Sequence, residues 1–146
     1  MIVETYTGFV AGLISTAVMS LTEYPIWRKW GMVAVSEWHL NQVIIAHFLH
    51  RPPQDLLVPG LALHFVHGGL AGIVFTIILA SYVHNTIVVG AAFGFVLWVI
   101  AVLLMKPVTG TGFRDYQLGQ LSLVVSLLGH LIYGIMLGLL VGLMVL

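Results

Sequence analysis

The sequence predicts an all-α protein: a polytopic membrane four-helix bundle with a further interfacial or re-entrant helix between helices one and two. Three observations predict it. Of 146 residues, 60% are hydrophobic and only 7% charged, where soluble domains carry about 25% charged residues. Four apolar stretches are each long enough to span a bilayer, which takes roughly 20 residues of helix. Glycines recur at four-residue spacing inside those stretches, the pattern that lets membrane helices approach closely. Backbone groups in hydrocarbon need partners within their own segment, so helices are forced and open strands are excluded. The length fits a single transmembrane domain over residues 1–146.

The first helix is expected over residues 3–27, ending near Pro25 and the Trp27-Arg28-Lys29-Trp30 cluster. No Lys or Arg precedes it, so it reads as a retained helix and not as a cleaved signal peptide. Residues 31–59 follow, with their own helical pattern over 36–50, which Pro52-Pro53 stops. That segment is too short to span. Its apolar residues Trp38, Leu40, Ile44, Ile45, Phe48 and Leu49 cover much of its circumference, which suits an interfacial or partly re-entrant helix. The second helix is expected over 58–82 and the third over 86–105, joined by a tight hairpin at 83–85. The third stops at Lys106-Pro107. A polar loop over 106–115 then carries Gly and Pro punctuation, and the fourth helix runs over 118–146, long enough to tilt.

The basic residues set the orientation. Arg28, Lys29 and Arg51 fall in the first connection, Lys106 and Arg114 in the third. With four crossings all five lie on one side, and cytoplasmic loops carry the Lys/Arg excess. A multi-pass protein of the cell (plasma) membrane with both termini outside the cytoplasm is expected. Tyr24, Trp27, Trp30, Trp38 and Tyr116 gather near the same interface, as aromatic belts do.

Each spanning stretch has a glycine pair: Gly8 and Gly12, Gly68 and Gly72, Gly90 and Gly94, then Gly134, Gly138 and Gly142. Helix two reads His64-Phe-Val-His-Gly68-Gly-Leu-Ala-Gly72 and helix four His130-Leu-Ile-Tyr-Gly134-Ile-Met-Leu-Gly138, both H-x-x-x-G-x-x-x-G. The chain thus reads as two helical hairpins of like topology, related by an axis along the membrane normal. His64 and His130 would then sit at similar depth.

Four segments together resemble the motifs of a known family. They are Gly8-Phe-Val-Ala-Gly12-Leu-Ile-Ser-Thr-Ala-Val-Met19, His64-Phe-Val-His-Gly68, Gly94-Phe-Val-Leu-Trp98 leading to Met105-Lys-Pro107, and Gly129-His-Leu-Ile-Tyr-Gly134-Ile-Met-Leu-Gly138. The family comprises small four-helix prokaryotic integral membrane proteins, a domain of unknown function. The resemblance implies the topology and draws attention to His64, His130 and Tyr133 without assigning chemistry. It is weakest over residues 38–51.

Ionisable groups inside a membrane are costly and usually face a partner or a cavity. His64 and His67 share a face of helix two, and His130 lies within helix four. Three readings are open. The imidazoles are packing groups that hydrogen-bond to carbonyls or hydroxyls, with Ser122, Ser126 and Tyr133 as partners. Or His64 and His130 are axial ligands of haem b, or bind a transition metal with His67, and Gly68 and Gly134 leave room for a flat macrocycle. Or they line a route for protons, quinone or another small ligand. In the segment between helices one and two, His39, His47 and His50 fall within about 80° of one another on a helical wheel. With Glu37 they form a candidate zinc or copper site, the alternative being the polar face of a half-buried helix. Glu23 is expected to pair with Arg28 or to be hydrated.

Other chemistry is excluded or unsupported. Five basic residues against five acidic lack the positive excess of a nucleic-acid binder. The absence of cysteine removes disulfides and thiolate chemistry. No phosphate-binding loop, dinucleotide fingerprint, G-x-S-x-G or zinc-protease motif occurs. The roles that fit are a non-catalytic subunit or accessory protein of a larger membrane complex, a redox protein binding haem or a metal through helices two and four, and a small transporter or channel. The expected partners are the lipid bilayer and either other membrane subunits or further copies of the chain.

Overall fold

The computed structural model describes residues 2–31, 35–78, 85–109 and 119–145. They form five α-helices: α1 (Ile2–Trp30), α2 (Ser36–Leu49), α3 (Leu57–Ile78), α4 (Thr86–Thr109) and α5 (Gly119–Val145). A 3-10 turn over Pro53–Leu56 leads into α3. The architecture is all-α, with no strand among the described residues. Four helices are long and apolar enough to cross a membrane, over Val3–Trp30, Pro53–Ile78, Thr86–Leu104 and Leu121–Met144. Large apolar side chains such as Val3, Leu21, Val58, Leu103 and Leu143 are more than two-thirds exposed, as befits a surface whose solvent is lipid. The hairpin expected over 83–85 falls outside the described residues except for Asn85, and of the loop over 106–115 only the first four positions are described. The last residues of the expected second helix, Arg114, Tyr116, Leu118 and Leu146 also lie outside them.

Three helix ends differ from expectation. Helix α1 carries Pro25 inside it and runs three residues beyond its expected end at 27, to Trp30. Proline removes one backbone donor, a loss membrane helices tolerate. The stop comes instead from Gly31, which has φ +79° and donates its N–H to the Trp27 carbonyl at 2.8 Å, a left-handed glycine terminus. Helix α4 continues through Pro107 to Thr109. At its start the Asn85 side chain accepts the Val88 N–H at 3.2 Å, satisfying one of the orphan donors of the first turn. Helix α2 ends at Leu49, and His50 adopts a left-handed conformation with φ 52°.

Helix α1 packs most closely on α3, α4 packs most closely on α5, and α1 joins the two pairs by lying against α5. Backbones meet at glycines in both pairs. A Cβ on Gly72 would strike the Gly8 carbonyl, and one on Gly12 would strike the Gly68 carbonyl. In the second pair, Gly90 faces the Gly134 carbonyl and Gly94 faces that of His130. The second pair is therefore built like the first but slid by one helical turn relative to the shared motif. Hydroxyls of Ser15, Thr16 and Thr76 donate to carbonyls one turn back, at 2.8 to 2.9 Å, which removes their polarity from the contact.

The apolar core joins Ala11, Met19, Phe75, Tyr133, Leu137 and Val141. Phe75 and Phe93, with ring centroids 5.4 Å apart, connect α3 to α4. Only 11% of the α4 span is buried, so α4 is the outermost helix. Helix α2 packs on α3 and also reaches α4 and α5. Val35, Trp38, Asn41 and Gln42 are buried, whereas Phe48 and Leu49 are exposed. The first half of α2 thus enters the bundle and the second half leaves it.

Candidate functional site

Where α2 enters, it closes a cavity of about 200 Å³ with walls from all five helices. One wall is apolar and comes largely from α4, through Leu97, Ile100, Ala101 and Leu104. The rest of the lining mixes apolar Met19, Leu40, Ile44 and Ala71 with polar Glu37 and Asn41 of α2, His64 and His67 of α3, and His130 and Tyr133 of α5.

His130 stands about 14 Å along the span that begins at Leu121, at 1.5 Å per residue, roughly halfway across a hydrocarbon core of about 30 Å. Its Nδ1 lies 2.9 Å from the Ser126 carbonyl oxygen. A carbonyl only accepts, so Nδ1 carries the proton and donates, which leaves the lone pair of the neutral ring on Nε2. The same Nδ1 is 3.5 Å from Glu37 Oε1, and the Ser126 hydroxyl donates to that carboxyl oxygen as well. Asn41 Nδ2 donates to the Glu37 backbone carbonyl at 2.8 Å, holding the first turn of α2 in place beneath the carboxyl.

His64 is only 8% exposed, and its Nε2 has no hydrogen-bond partner. It is close enough to His130 and His67 for charges on the rings to repel. His67, one turn further on, is exposed at the outer edge of the cavity. The Tyr133 hydroxyl donates to the Gly68 carbonyl at 2.6 Å, tying α5 to α3 across the cavity floor.

The structure therefore brings His64, His67, Gly68, His130 and Tyr133 to one cavity. Gly134 is not part of it. Its missing side chain makes room for Gly90 and Gly94 of α4, and that of Gly68 makes room for Thr16 of α1. Both glycines serve helix contacts, so neither holds open the flat slot expected between helices two and four.

The three histidines of α2 are dispersed. His39 is half-buried, while His47 and His50 are exposed. His47 meets Phe48 edge-on, with ring centroids 5.9 Å apart. His50 has left the helix, which takes it off the shared face drawn for a continuous helix over 36–50. Burial pushes the His39 imidazole below its ordinary value of 6.5. Among the described residues no group of three or more His, Asp or Glu is arranged to hold a metal ion.

Two carboxyls are placed otherwise than expected. Glu37 turns into the bundle towards Ser126 and His130, away from the α2 histidines. Glu23 is neither hydrated nor beside Arg28. It is 1% exposed, and neither carboxyl oxygen has a hydrogen-bond partner. It sits against Gly129 of α5, where a Cβ would collide with it. The Trp38 indole N–H faces Glu23 without reaching hydrogen-bond geometry, and Glu37 is near enough to repel it electrostatically. Arg28 instead lies over the Tyr24 ring, 6.0 Å from its centroid. A signal for Glu23 was present in the chain: it stands about 10 Å inside the Trp30 end of its span, beyond easy reach of the interface. Glu37 was marked only as a companion of the α2 histidines, and nothing in the pattern of α2 turned it inward.

No characterised protein and no solved structure gives a significant match to the chain. One family model does match, over residues 2–145, and by that match the chain belongs to DUF6789, a family of unknown function.

Proposed function

We propose that the protein is an accessory protein of the cell membrane, serving a larger membrane complex by holding a small molecule inside the bilayer. The observation that carries this reading is the cavity, which has an apolar α4 wall and imidazole, carboxyl, amide and phenol groups in the rest of its lining. Pockets with mostly apolar walls and a few converging polar groups are the usual form of small-molecule sites. The volume, about 200 Å³, is below the roughly 300–1,000 Å³ of sites for drug-sized ligands. It favours a compact molecule with one hydrogen-bonding end over a macrocycle such as haem b. Exposed Arg28, Lys29 and Arg51 support a cytoplasmic position for the α1–α2 and α2–α3 connections, with the termini outside. The exposed flank of α4 supports contact with lipid, a further subunit or a second copy.

Native mass spectrometry of the gently solubilised full chain tests the proposal. The expected result is a small-molecule adduct on the wild-type chain that is lost in Ala101→Phe, which fills the cavity from its apolar side. Thermal unfolding of the variant checks that the bundle is retained. A wild-type chain that carries no adduct, or an adduct unaffected by a folded Ala101→Phe, would falsify this reading.

A further inference from the structure

The geometry points to a proton-binding centre in the membrane interior, formed by Glu23, Glu37, His64 and His130, independent of whichever molecule enters the cavity. Four ionisable side chains from four different helices converge there, from α1, α2, α3 and α5. All four are more than nine-tenths buried. Ionisable groups gathered at this depth characterise proton relays and ion pathways.

Two of them lack what a purely structural polar group has. Among the described residues Glu23 has no hydrogen-bond partner at either oxygen, and His64 Nε2 has none. Buried polar atoms are satisfied in the great majority of cases, so an imidazole nitrogen without a partner in the cavity wall and a carboxyl outside the lining that only the Trp38 N–H faces call for an explanation. A mobile proton supplies it, because each group is a donor in one protonation state and an acceptor in the other. The remaining pair places an imidazole beside a carboxyl. His130 Nδ1–H is committed to the Ser126 carbonyl, so an incoming proton attaches at Nε2, and the resulting imidazolium lies 3.5 Å from Glu37 Oε1.

The titratable groups facing the centre are Glu23 from α1, Glu37 from α2, His64 and His67 from α3, and His130 and Tyr133 from α5, while α4 offers apolar side chains only. Transfer moves one proton. The N–H bond at His64 Nε2 breaks, a bond forms at His130 Nε2 or at the Glu37 carboxylate, and the total charge of the centre is unchanged. Uptake from outside raises that charge by one, and release lowers it by one.

Infrared difference spectra of the full chain in lipid nanodiscs, taken across a step between about pH 8 and 5, test the centre, with 13C-glutamate labelling to identify carboxyl bands. The expected result is a glutamate carboxyl band that appears on acidification. Glu23→Gln and Glu37→Gln should each remove or shift the band. A wild-type chain with no titrating glutamate band overturns the proposal, as does a band left unaltered by both substitutions. If a glutamine variant fails to fold, the labelled wild-type band decides alone. Ala101→Phe separates this centre from the ligand site: it should remove the adduct and leave the band, whereas loss of the band with retention of the adduct counts against the proton centre.

Discussion

The Tyr133 hydroxyl is a single bond between helices that otherwise share little contact, since α3 and α5 are each packed mainly on other partners. Tyr133→Phe removes it and leaves the Gly68 carbonyl to its own helix. The expected cost is small, about 0.6 kcal/mol, the average for hydrogen bonds between membrane helices. Unfolding in bicelles by a denaturing detergent measures it, and a loss beyond about 2 kcal/mol would mean that Tyr133 does more than tie two helices. His39 gives a pH-dependent prediction. Burial depresses its folded value below 6.5, so the folded state binds the proton less readily than the unfolded chain. Stability is then complete above the unfolded value and declines as pH falls through the range below it. Melting temperatures between about pH 7.5 and 5 should fall on acidification, and His39→Gln should flatten part of that decline. An identical slope in the variant would remove His39 from the account.

Among the helices, the glycine contacts of α1 with α3 and of α4 with α5 are equally tight. At Gly72 an added methyl group meets backbone of Gly8 and Gly12, which cannot rotate away. Gly72→Ala should therefore separate the helices and cost about 1–3 kcal/mol by overpacking. Gly31→Ala meets no atom within 4 Å and should cost about 1 kcal/mol, through its left-handed φ alone. Equal losses in a chemical or thermal melt would contradict the packing account. The existence of the four spanning helices was legible because lipid leaves the backbone no other choice. Their ends were less so, since the Trp27-Arg28-Lys29-Trp30 cluster and Pro107 read as stops whereas the bundle carries α1 and α4 past their expected ends. In the site, His64, His130 and Tyr133 stood out as polar residues in apolar helices. Glu37 did not, because its inward direction depends on how far α2 enters the bundle, and no periodicity along a 14-residue helix encodes that depth.

For the molecule as a whole, the even number of crossings makes a sharp prediction, and the absence of native cysteine makes it easy to check. A single cysteine added at either terminus should react with a membrane-impermeant maleimide added to intact cells, and Gly31→Cys should react only after lysis. Reaction of the two terminal positions from opposite sides would overturn the topology. The two helix pairs are each joined through glycines, and α2 packs on α3 and reaches α4 and α5. Helix α1 has one soft place, Pro25, where the ladder of backbone bonds lacks a rung. Beyond it lies Trp27, whose ring centroid is 5.9 Å from that of Trp38, the neighbour of Glu37 on α2. The basic tip of α1 is thus articulated on the remainder of its helix and geared to the residues next to the buried carboxyls. A partner that grips Arg28 and Lys29 would be holding a lever whose short arm ends beside Glu23.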